Sequence, residues 1–358
     1  MSFSEIKRRE IKLYVLRKID DDDRDFVNKT ADAFGISVTS VKRYIDSELA
    51  ACHIKKDSDK RCGHSLCTRE RRLVYDISSV SEREDAVLFE DILPLIDVND
   101  NARHIWSYVL PEMFNNALEH SEGDKVDVYV RTNCLYCNIT VVDNGIGIFK
   151  KVTDAMASYG YRDPRPEDAV TELYKGKFTS CPDRHTGEGI FFTMRMLDKL
   201  AIISGGMLLR TGYSNEPSYV RSHLLAYAMK LTGKGTVVDM RLENDTRREA
   251  AEVFREYSDA DDGFYRSRIP VFEACLDHDP VARSQARRIC ARLSDFKEVV
   301  LDFDKVEMMG QGFADELFRV YHNVHPEVRL TPVNMTGDVQ MMYMHVINNR
   351  IRVPEYQG

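Results

Sequence analysis

The sequence predicts a multidomain protein of mixed α+β and α/β class, built from three parts. Residues 1–80 show helical periodicity followed by an alternating segment, residues 85–245 mix strands and helices, and residues 264–350 alternate strand with helix. A chain of 358 residues is long enough for two or three domains with their own cores. Residues 246–263 are predicted to form a connecting helix and a charged linker.

Composition indicates a globular protein of the cytoplasm. The chain is 43% hydrophobic and 30% charged, and no apolar run approaches the roughly 18 residues of a membrane span. Eight irregularly spaced Cys, 14 Met and no signal peptide favour a reducing compartment with free thiols. We therefore expect a cytoplasmic protein with no membrane contact.

The charge is distributed unevenly along the chain. The formal net charge is -8, yet residues 1–80 carry 17 Lys or Arg and 14 Asp or Glu, a net charge of +3. This balance excludes a protein that coats nucleic acid along its whole length. It permits DNA contact at the mildly basic front end.

The first part, residues 1–80, predicts a winged helix-turn-helix domain. A first helix is followed by helices near residues 26–34 and 38–49, with a turn at Gly35 and Ser37 as a candidate N-cap. The segment 52–78 then alternates around a glycine, as a hairpin wing would. We predict DNA contact through residues 26–75; a plain protein-contact module is the alternative.

The pattern of this part also separates inner from outer residues. The inner packing is predicted to consist of Ala31, Ile36, Val41 and Ile45. The residues on or near the outer face are predicted to be Thr39, Ser40, Lys42, Arg43 and Tyr44. Four wing residues could gather a zinc ion, but free thiols are expected because the spacing matches no common finger. They are Cys52, Cys62, His64 and Cys67.

The second part contains a helix, EMFNNALEHS at residues 112–121, whose polar face carries no Lys or Arg. Glu112 and Asn116 are one turn apart, so their side chains share a face. An Asn amide oxygen suits Mg²⁺, and a neighbouring carboxylate can orient or deprotonate a water. The face is therefore either a wet surface or the wall of a pocket for a cation.

Two glycine motifs follow this helix. The first comes after a pair of alternating strands, where Asp143 can accept from an exocyclic amine while Gly145 and Gly147 let a flat ring lie on the backbone. The second, at residues 186–189, opens an apolar helix whose N-terminus favours phosphate oxygens. Cys134 and Cys137 lie at strand ends, where a redox CxxC is not expected. The segment GKGTVVDMRL closes the part as an edge-type strand.

Together these motifs resemble the GHKL ATP-binding fold of gyrase, heat-shock chaperone, histidine-kinase and mismatch-repair ATPases. The matching segments are ExxxNA at 112–117, DNGIG at 143–147, TGEG at 186–189 and GTVV at 235–238. The resemblance implies a central GHKL (Bergerat) α/β sandwich that binds ATP and Mg²⁺. It also implies that residues 149–186 form a lid over the nucleotide.

The resemblance further implies a role for each matching residue. Glu112 matches the general base of hydrolysing members, and Asn116 matches the Mg²⁺ ligand. Asp143 matches the residue that accepts from the adenine amine. The other implied nucleotide-binding residues are Gly145, Gly147, Thr186, Gly187, Glu188, Gly189 and Thr236. In the lid, the residues that could approach the γ-phosphate are Lys175, Lys177, Arg184 and His185.

Pro111 is a departure from the expected pattern, because it stands directly before Glu112. A proline inside a helix favours a kink, which would shift the carboxylate. In kinase members of the family, the residue that matches Glu112 has a role other than that of a general base for hydrolysis.

The third part alternates strand with helix. Strands are predicted at 269–276, 298–303 and 328–334, with helices at 281–293, 313–324 and 339–349. The segments ARSQARRI, VVLDFDKVEMMGQGFADELFRVY and VRLTPVN within it resemble a STAS-like domain. The junction that carries an acceptor hydroxyl in related anti-anti-sigma proteins reads Met309-Gly310-Gln311-Gly312 here, so phosphorylation at that site is not expected. A second copy of the chain or a partner protein is expected to dock on this domain.

These observations favour an ATP-driven regulatory switch with slow hydrolysis. Two alternatives remain open. One is a protein kinase of anti-sigma or sensor type, and the other is a regulator that binds nucleotide without hydrolysing it.

Overall fold

The structure is a computed structural model that describes residues 3–80, 84–180, 186–213 and 234–350. It contains an N-terminal helical unit, a six-stranded sheet covered by helices, and a C-terminal three-stranded sheet with its own helices. The class is therefore mixed α/β, as predicted. Within the described ranges, no helix is both long and apolar enough to traverse a lipid bilayer.

The bounds of the elements are as follows. The helices are α1 Glu5–Asp20, α2 Phe26–Phe34, α3 Val38–Ala50, α4 Ile77–Val80, α5 Glu84–Ala86, α6 Asp100–His120, α7 Ile148–Met156, α8 Pro166–Lys175, α9 Gly189–Met196, α10 Ala250–Tyr257, α11 Val271–Ala274, α12 Arg283–Cys290, α13 Gln311–Asp315, α14 His322–Val324 and α15 Gly337–Arg350. The strands are β1 Ile54–Lys56, β2 His64–Leu66, β3 Arg69–Asp76, β4 Lys125–Thr132, β5 Tyr136–Asp143, β6 Lys199–Ser204, β7 Met207–Thr211, β8 Thr236–Glu243, β9 Ser258–Asp259, β10 Gly263–Phe264, β11 Arg266–Pro270, β12 Glu298–Asp302 and β13 Arg329–Val333. Turns of π-helix occur at Val87–Ile92 and Glu316–Tyr321.

The N-terminal unit consists of α1, α2, α3 and the hairpin β1–β2. Gly35 closes α2 in the left-handed conformation with φ of 61°, and the Ser37 hydroxyl accepts from the Ser40 N–H at 3.2 Å to cap α3. The helices at residues 26–34 and 38–50 thus confirm the predicted helices and turn. The predicted inner residues are buried or half-buried in one small core: Ala31, Ile36, Val41 and Ile45.

The last strand of the predicted wing belongs to the large sheet. β3 pairs antiparallel with β4 along its whole length, from Arg69 opposite Thr132 to Asp76 opposite Lys125. Only residues 67 and 68 connect β2 to β3. The wing predicted over residues 52–78 was therefore too long, because an alternating pattern fits an edge strand and a hairpin arm equally well.

The large sheet has the order β3-β4-β5-β8-β6-β7, and its neighbouring strands are antiparallel. The prediction of β8 as an edge-type strand was wrong, since it lies between β5 and β6. Its polar Asp239 is buried and accepts from Asn138 and from the Thr140 hydroxyl at 2.6 Å. This buried polar residue of an inner strand is thus satisfied by hydrogen bonds to the neighbouring strand.

The stretch between the glycine motifs is more ordered than its weak periodicity suggested. It contains α7 and α8, and α8 lies between β7 of the large sheet and β11 of the small one. Seven consecutive residues of α8, from 169 to 175, are buried. These buried residues include the polar Thr171, Glu172 and Lys175, so residue polarity alone does not show that this helix is buried.

The C-terminal unit has the parallel sheet β11-β12-β13 with helices packed against it. The strand predicted at 269–276 starts and ends earlier than expected. β11 covers Arg266–Pro270, and Val271–Ala274 is a helical turn. The other predicted strands and helices of this unit are present within a few residues of their expected bounds.

Candidate functional site

A cavity of about 290 Å³ lies between α6, the adjoining ends of β5 and β8, and the start of α9. Most residues that the sequence singled out meet here. The predicted residues that line the cavity are Glu112, Asn116, Asp143, Thr186, Gly187, Glu188, Gly189 and Thr236.

Helix α6 supplies one wall of the cavity. It starts at Asn99, whose side-chain oxygen accepts from the Ala102 N–H at 2.8 Å, and it continues without interruption through Pro111. Glu112 and Asn116 are half-buried on its cavity side. Within the part of the chain that the structure describes, the Asn116 side chain makes no hydrogen bond.

Asp143 is fixed at the floor of the cavity. It stands opposite Thr236 in the β5–β8 register, and its Oδ1 accepts from the backbone N–H groups of Gly145 at 2.9 Å and Thr236 at 3.2 Å. The Thr236 hydroxyl accepts from the Ile148 N–H at 3.0 Å and hydrogen-bonds to the Asp143 carboxyl. Burial raises the pKa of Asp143 despite these bonds.

Gly145 and Gly147 lie beside the cavity and do not line it. A Cβ on Gly145 would stand 2.5 Å from the Ser121 carbonyl carbon, so glycine here permits the turn after β5 to touch the end of α6. Gly147 precedes the first residue of α7. The turn is held further by the Ile146 N–H, which donates to the Ser121 carbonyl at 2.7 Å.

The start of α9 faces the cavity from the opposite side. Gly187 has φ of 75°, and a Cβ there would stand 2.5 Å from the Phe178 carbonyl carbon. Gly189 lies against Glu112, where a Cβ would overlap the carboxylate. Between them, Glu188 lines the cavity, and burial raises the pKa of its carboxyl while the Lys177 ammonium opposes this. The unpaired N–H groups of such a helix start favour anionic oxygens.

Two of the predicted lid cations, Lys175 and Lys177, lie outside the cavity lining. The Lys177 ammonium donates to the Asp295 carbonyl at 2.8 Å and stands 4.8 Å from the centre of the Phe296 ring, outside the cavity lining. Burial lowers the pKa of Lys177. Lys175 is buried against the C-terminal unit. The predicted residues Arg184 and His185 lie outside the described residues.

Several lining residues were not identified from the sequence. Lys151 lines the cavity and donates to Glu122 Oε1 at 2.5 Å, and Phe178 forms part of the wall. Tyr108 lies one helical turn before Glu112, so the spacing on α6 could have identified it. Burial and the charges of Glu112 and Glu188 raise the pKa of Tyr108. No local signal marks Lys151 or Phe178, because their positions depend on how α7 and α8 pack.

The cysteine groups do not form a metal site in the described part of the chain, where no cluster of three or more His, Cys, Asp or Glu could hold a metal ion. Cys62 and Cys137 are buried free thiols, and burial raises the pKa of each.

Comparison with known families identifies the C-terminal unit. Residues 285–340 match the STAS-like domain of unknown function (DUF4325). The matched region runs from α12 through β12 and β13 to the start of α15, and it confirms the STAS-like domain that the sequence predicted. No curated protein matches the chain.

Proposed function

We propose that the chain binds ATP with Mg²⁺ in this cavity and acts as a nucleotide-driven regulatory switch of the GHKL type, with slow ATP hydrolysis. The observation that supports this most strongly is the convergence of four distant segments on one cavity. Glu112 and Asn116 come from α6, Asp143 from β5, Thr236 from β8 and residues 186–189 from the start of α9.

The adenine end of the ligand belongs at Asp143. Its carboxylate is an acceptor whose orientation is fixed by the backbone of Gly145 and Thr236, which suits an exocyclic amine. The phosphate end belongs at the start of α9, where residues 186–189 line the cavity and a helix N-terminus favours anionic oxygens. The two ends are thus recognised by opposite chemistry, an acceptor and a set of donors.

Mg²⁺ fits the residues present at the α6 wall. The Asn116 amide oxygen is a hard ligand with no partner among the described residues, and Mg²⁺ typically takes few protein ligands beside waters and phosphates. When bound, the ion neutralises phosphate charge. Glu112, which lies one turn away and also lines the cavity, would accept a proton from a water molecule.

The remaining units would report the nucleotide state. We assign DNA contact to a winged helix-turn-helix formed by the N-terminal unit, in which Lys42 and Arg43 are exposed on α3 and Lys55 and Lys56 on β1. The STAS-like domain would contact a second copy of the chain or a partner protein. Its junction at residues 309–312 carries no hydroxyl, which disfavours control by phosphorylation there.

The test is Mg²⁺-dependent ATP turnover by the purified chain, with binding of ATP measured alongside. Glu112→Gln is expected to keep binding and lose turnover, whereas Asn116→Ala is expected to weaken Mg²⁺-dependent binding and lose turnover. Binding without turnover in the parent would leave a nucleotide-sensing regulator. Label transferred from ATP to protein would indicate a kinase, and a parent that binds no nucleotide would overturn the proposal.

A further inference from the structure

The segment that forms one wall of the cavity is also the segment that holds the STAS-like domain. Leu173 and Phe178 line the cavity. From the other side of the same segment, the Ser267 hydroxyl donates to the Lys175 carbonyl at 2.7 Å. The Thr171 hydroxyl, which also bonds to the Glu167 carbonyl at 3.1 Å, lies 3.3 Å from the Ala274 carbonyl oxygen. One short stretch of chain therefore separates the ligand cavity from the C-terminal unit.

A buried charge anchors this stretch. The Lys175 side chain is 1% exposed, and its ammonium donates to Glu172 Oε1 at 2.5 Å and to the carbonyls of Arg288 at 2.8 Å and Ala291 at 2.6 Å. Those carbonyls lie at the end of α12, where a helix leaves its last carbonyls without helical partners. Lys175, which lies outside the STAS-like domain, thus caps the C-terminal end of α12 within that domain.

Arg292 reaches back from the STAS-like domain to the cavity wall. Its guanidinium donates to the Lys177 carbonyl at 3.1 Å and to Asp295 Oδ2 at 2.6 Å. The same group lies 4.6 Å from the centre of the Tyr159 ring and 5.5 Å from that of Phe178. Arg292 itself has φ of 57°, a conformation that costs a non-glycine residue energy.

We infer that Arg292 is a positioning residue for the ligand cavity, acting through Phe178, and that the STAS-like domain and the cavity ligand are therefore energetically coupled. The inference rests on the proposed nucleotide site. Arg292 holds both the ring of Phe178 and the backbone of Lys177, the residue directly before it. Planar guanidinium stacking and paired donation cannot both be supplied by a lysine ammonium.

Coupling of this kind is reciprocal. A ligand that requires the ordered wall stabilises the contact with the STAS-like domain, and loss of that contact weakens ligand binding by the same factor. Two quantities can therefore be measured: the affinity for the nucleotide and the local order at residues 172–180. Substitution of an arginine with no role in the coupling would not change both.

The experiment compares the full chain with Arg292→Ala, Arg292→Lys and the control Arg287→Ala. Arg287 lies on α12, is exposed, and pairs with Glu316 at 2.8 Å inside the STAS-like domain. Binding of Mg²⁺ with a non-hydrolysable ATP analogue is measured by calorimetry. Deuterium exchange is measured for peptides that cover residues 172–180.

Arg292→Ala is expected to weaken binding about tenfold, within the usual range of allosteric coupling, and to speed exchange at residues 172–180. Arg292→Lys is expected to fall between this variant and the parent, and Arg287→Ala to match the parent in both readouts. Ligand binding to the parent is expected to slow exchange in α12.

A folded Arg292→Ala variant with the affinity and the exchange rates of the parent would overturn the inference. If that variant does not fold, parental affinity and exchange in Arg292→Lys would overturn it instead. A parent that binds no nucleotide would overturn the proposed function. The exchange data would then still judge the positioning role of Arg292, because they are recorded without ligand as well.

Discussion

The carboxylate of Glu112 lies directly on the backbone of Gly189. A Cβ at position 189 would overlap Glu112 Oε2 and stand 3.0 Å from its Cδ. The contact joins α6 to the first residue of α9. The carboxylate of Glu112, the candidate base on α6, occupies the space that a side chain at position 189 would need. Gly189 is thus required for room rather than for its own backbone conformation.

Replacement of Gly189 by alanine should therefore impair function without unfolding the chain. The overlapping atom is the end of a flexible side chain, so Glu112 can rotate away and leave the fold intact. We expect the free energy of unfolding to change by no more than about 1 kcal/mol. Turnover should fall by at least tenfold, about 1.4 kcal/mol in activation free energy. Parallel turnover assays and denaturant melts would check both.

Gly187→Ala should behave in the opposite way. Its Cβ would meet the backbone of Phe178, which cannot rotate aside, and its φ of 75° disfavours any side chain. We expect a loss of about 2–4 kcal/mol in the free energy of unfolding. Gly160 provides a matched control, since it has φ of 83° but open space around it. Equal losses for the two alanine variants would contradict the steric argument.

Asp143→Asn should separate binding from stability. The amide keeps an oxygen that can accept from the N–H groups of Gly145 and Thr236, but it loses the carboxylate that the proposed adenine contact needs. We expect at least tenfold weaker nucleotide binding, in line with the roughly 1.5–3 kcal/mol of a hydrogen bond to a charged group. Calorimetric titration of the parent and the variant with nucleotide would measure this loss of affinity.

The same substitution has a predictable dependence on pH. Burial raises the pKa of Asp143 above 3.8, so the folded chain binds this proton more tightly than the unfolded chain. The stability that the group contributes is full below pH 3.8 and is lost as the pH rises through the raised pKa. Asp143→Asn should therefore melt at a higher temperature than the parent at pH 7.5. A gap that widens towards pH 4 would refute this account.

Lys175→Met should be strongly destabilising. It would leave the carbonyls of Arg288 and Ala291 without their donor and deprive Glu172 of a buried counter-charge. Removal of one partner from a buried ion pair typically costs about 3–5 kcal/mol. The exposed pair of Lys297 with Asp262 is the control, and Lys297→Met should cost less than about 1 kcal/mol. Chemical denaturation would compare them, and similar costs would count against the anchoring role.

Paired substitution of Lys42 and Arg43 by alanine tests the proposed DNA surface. Both side chains are exposed on α3. If they contact phosphates, affinity for duplex DNA should fall and the salt dependence of binding should weaken by about one unit of slope per lost contact. Lys150→Ala, an exposed cation on α7, should leave both unchanged. An unaltered slope in the double variant would place DNA contact elsewhere.

Local signals explain which predictions held. The Gly35 turn and the Ser37 cap mark α2 and α3 in the sequence, and the structure has both helices there. The predicted residues that line the cavity were likewise found from short motifs, two of which mark the end of a strand or the start of a helix in the local sequence. Asp143 ends a strand, and Gly189 opens a helix.

Residues whose surroundings come from distant segments could not be placed in this way. Lys175 and Lys177 lie in a polar stretch that suggested contact with phosphate, but their partners are carbonyls of the C-terminal unit. Likewise, β8 was predicted as an edge-type strand, although it lies between β5 and β6, and its buried Asp239 accepts hydrogen bonds from Asn138 and Thr140 of β5. In each case the surroundings of the residue are determined by hydrogen-bond partners that the local sequence does not show.

The position of β3 bears on how the chain can be dissected. Truncation at residue 80 would remove β3 from the sheet and turn β4 into an edge strand in which Val126, Val128 and Val130 alternate. An edge strand of this kind, with unpaired backbone groups, favours aggregation. A cut between Cys67 and Thr68 would instead keep β3 paired with β4. Fragments intended for separate expression should therefore begin at residue 68, within the segment that the sequence assigns to the N-terminal domain.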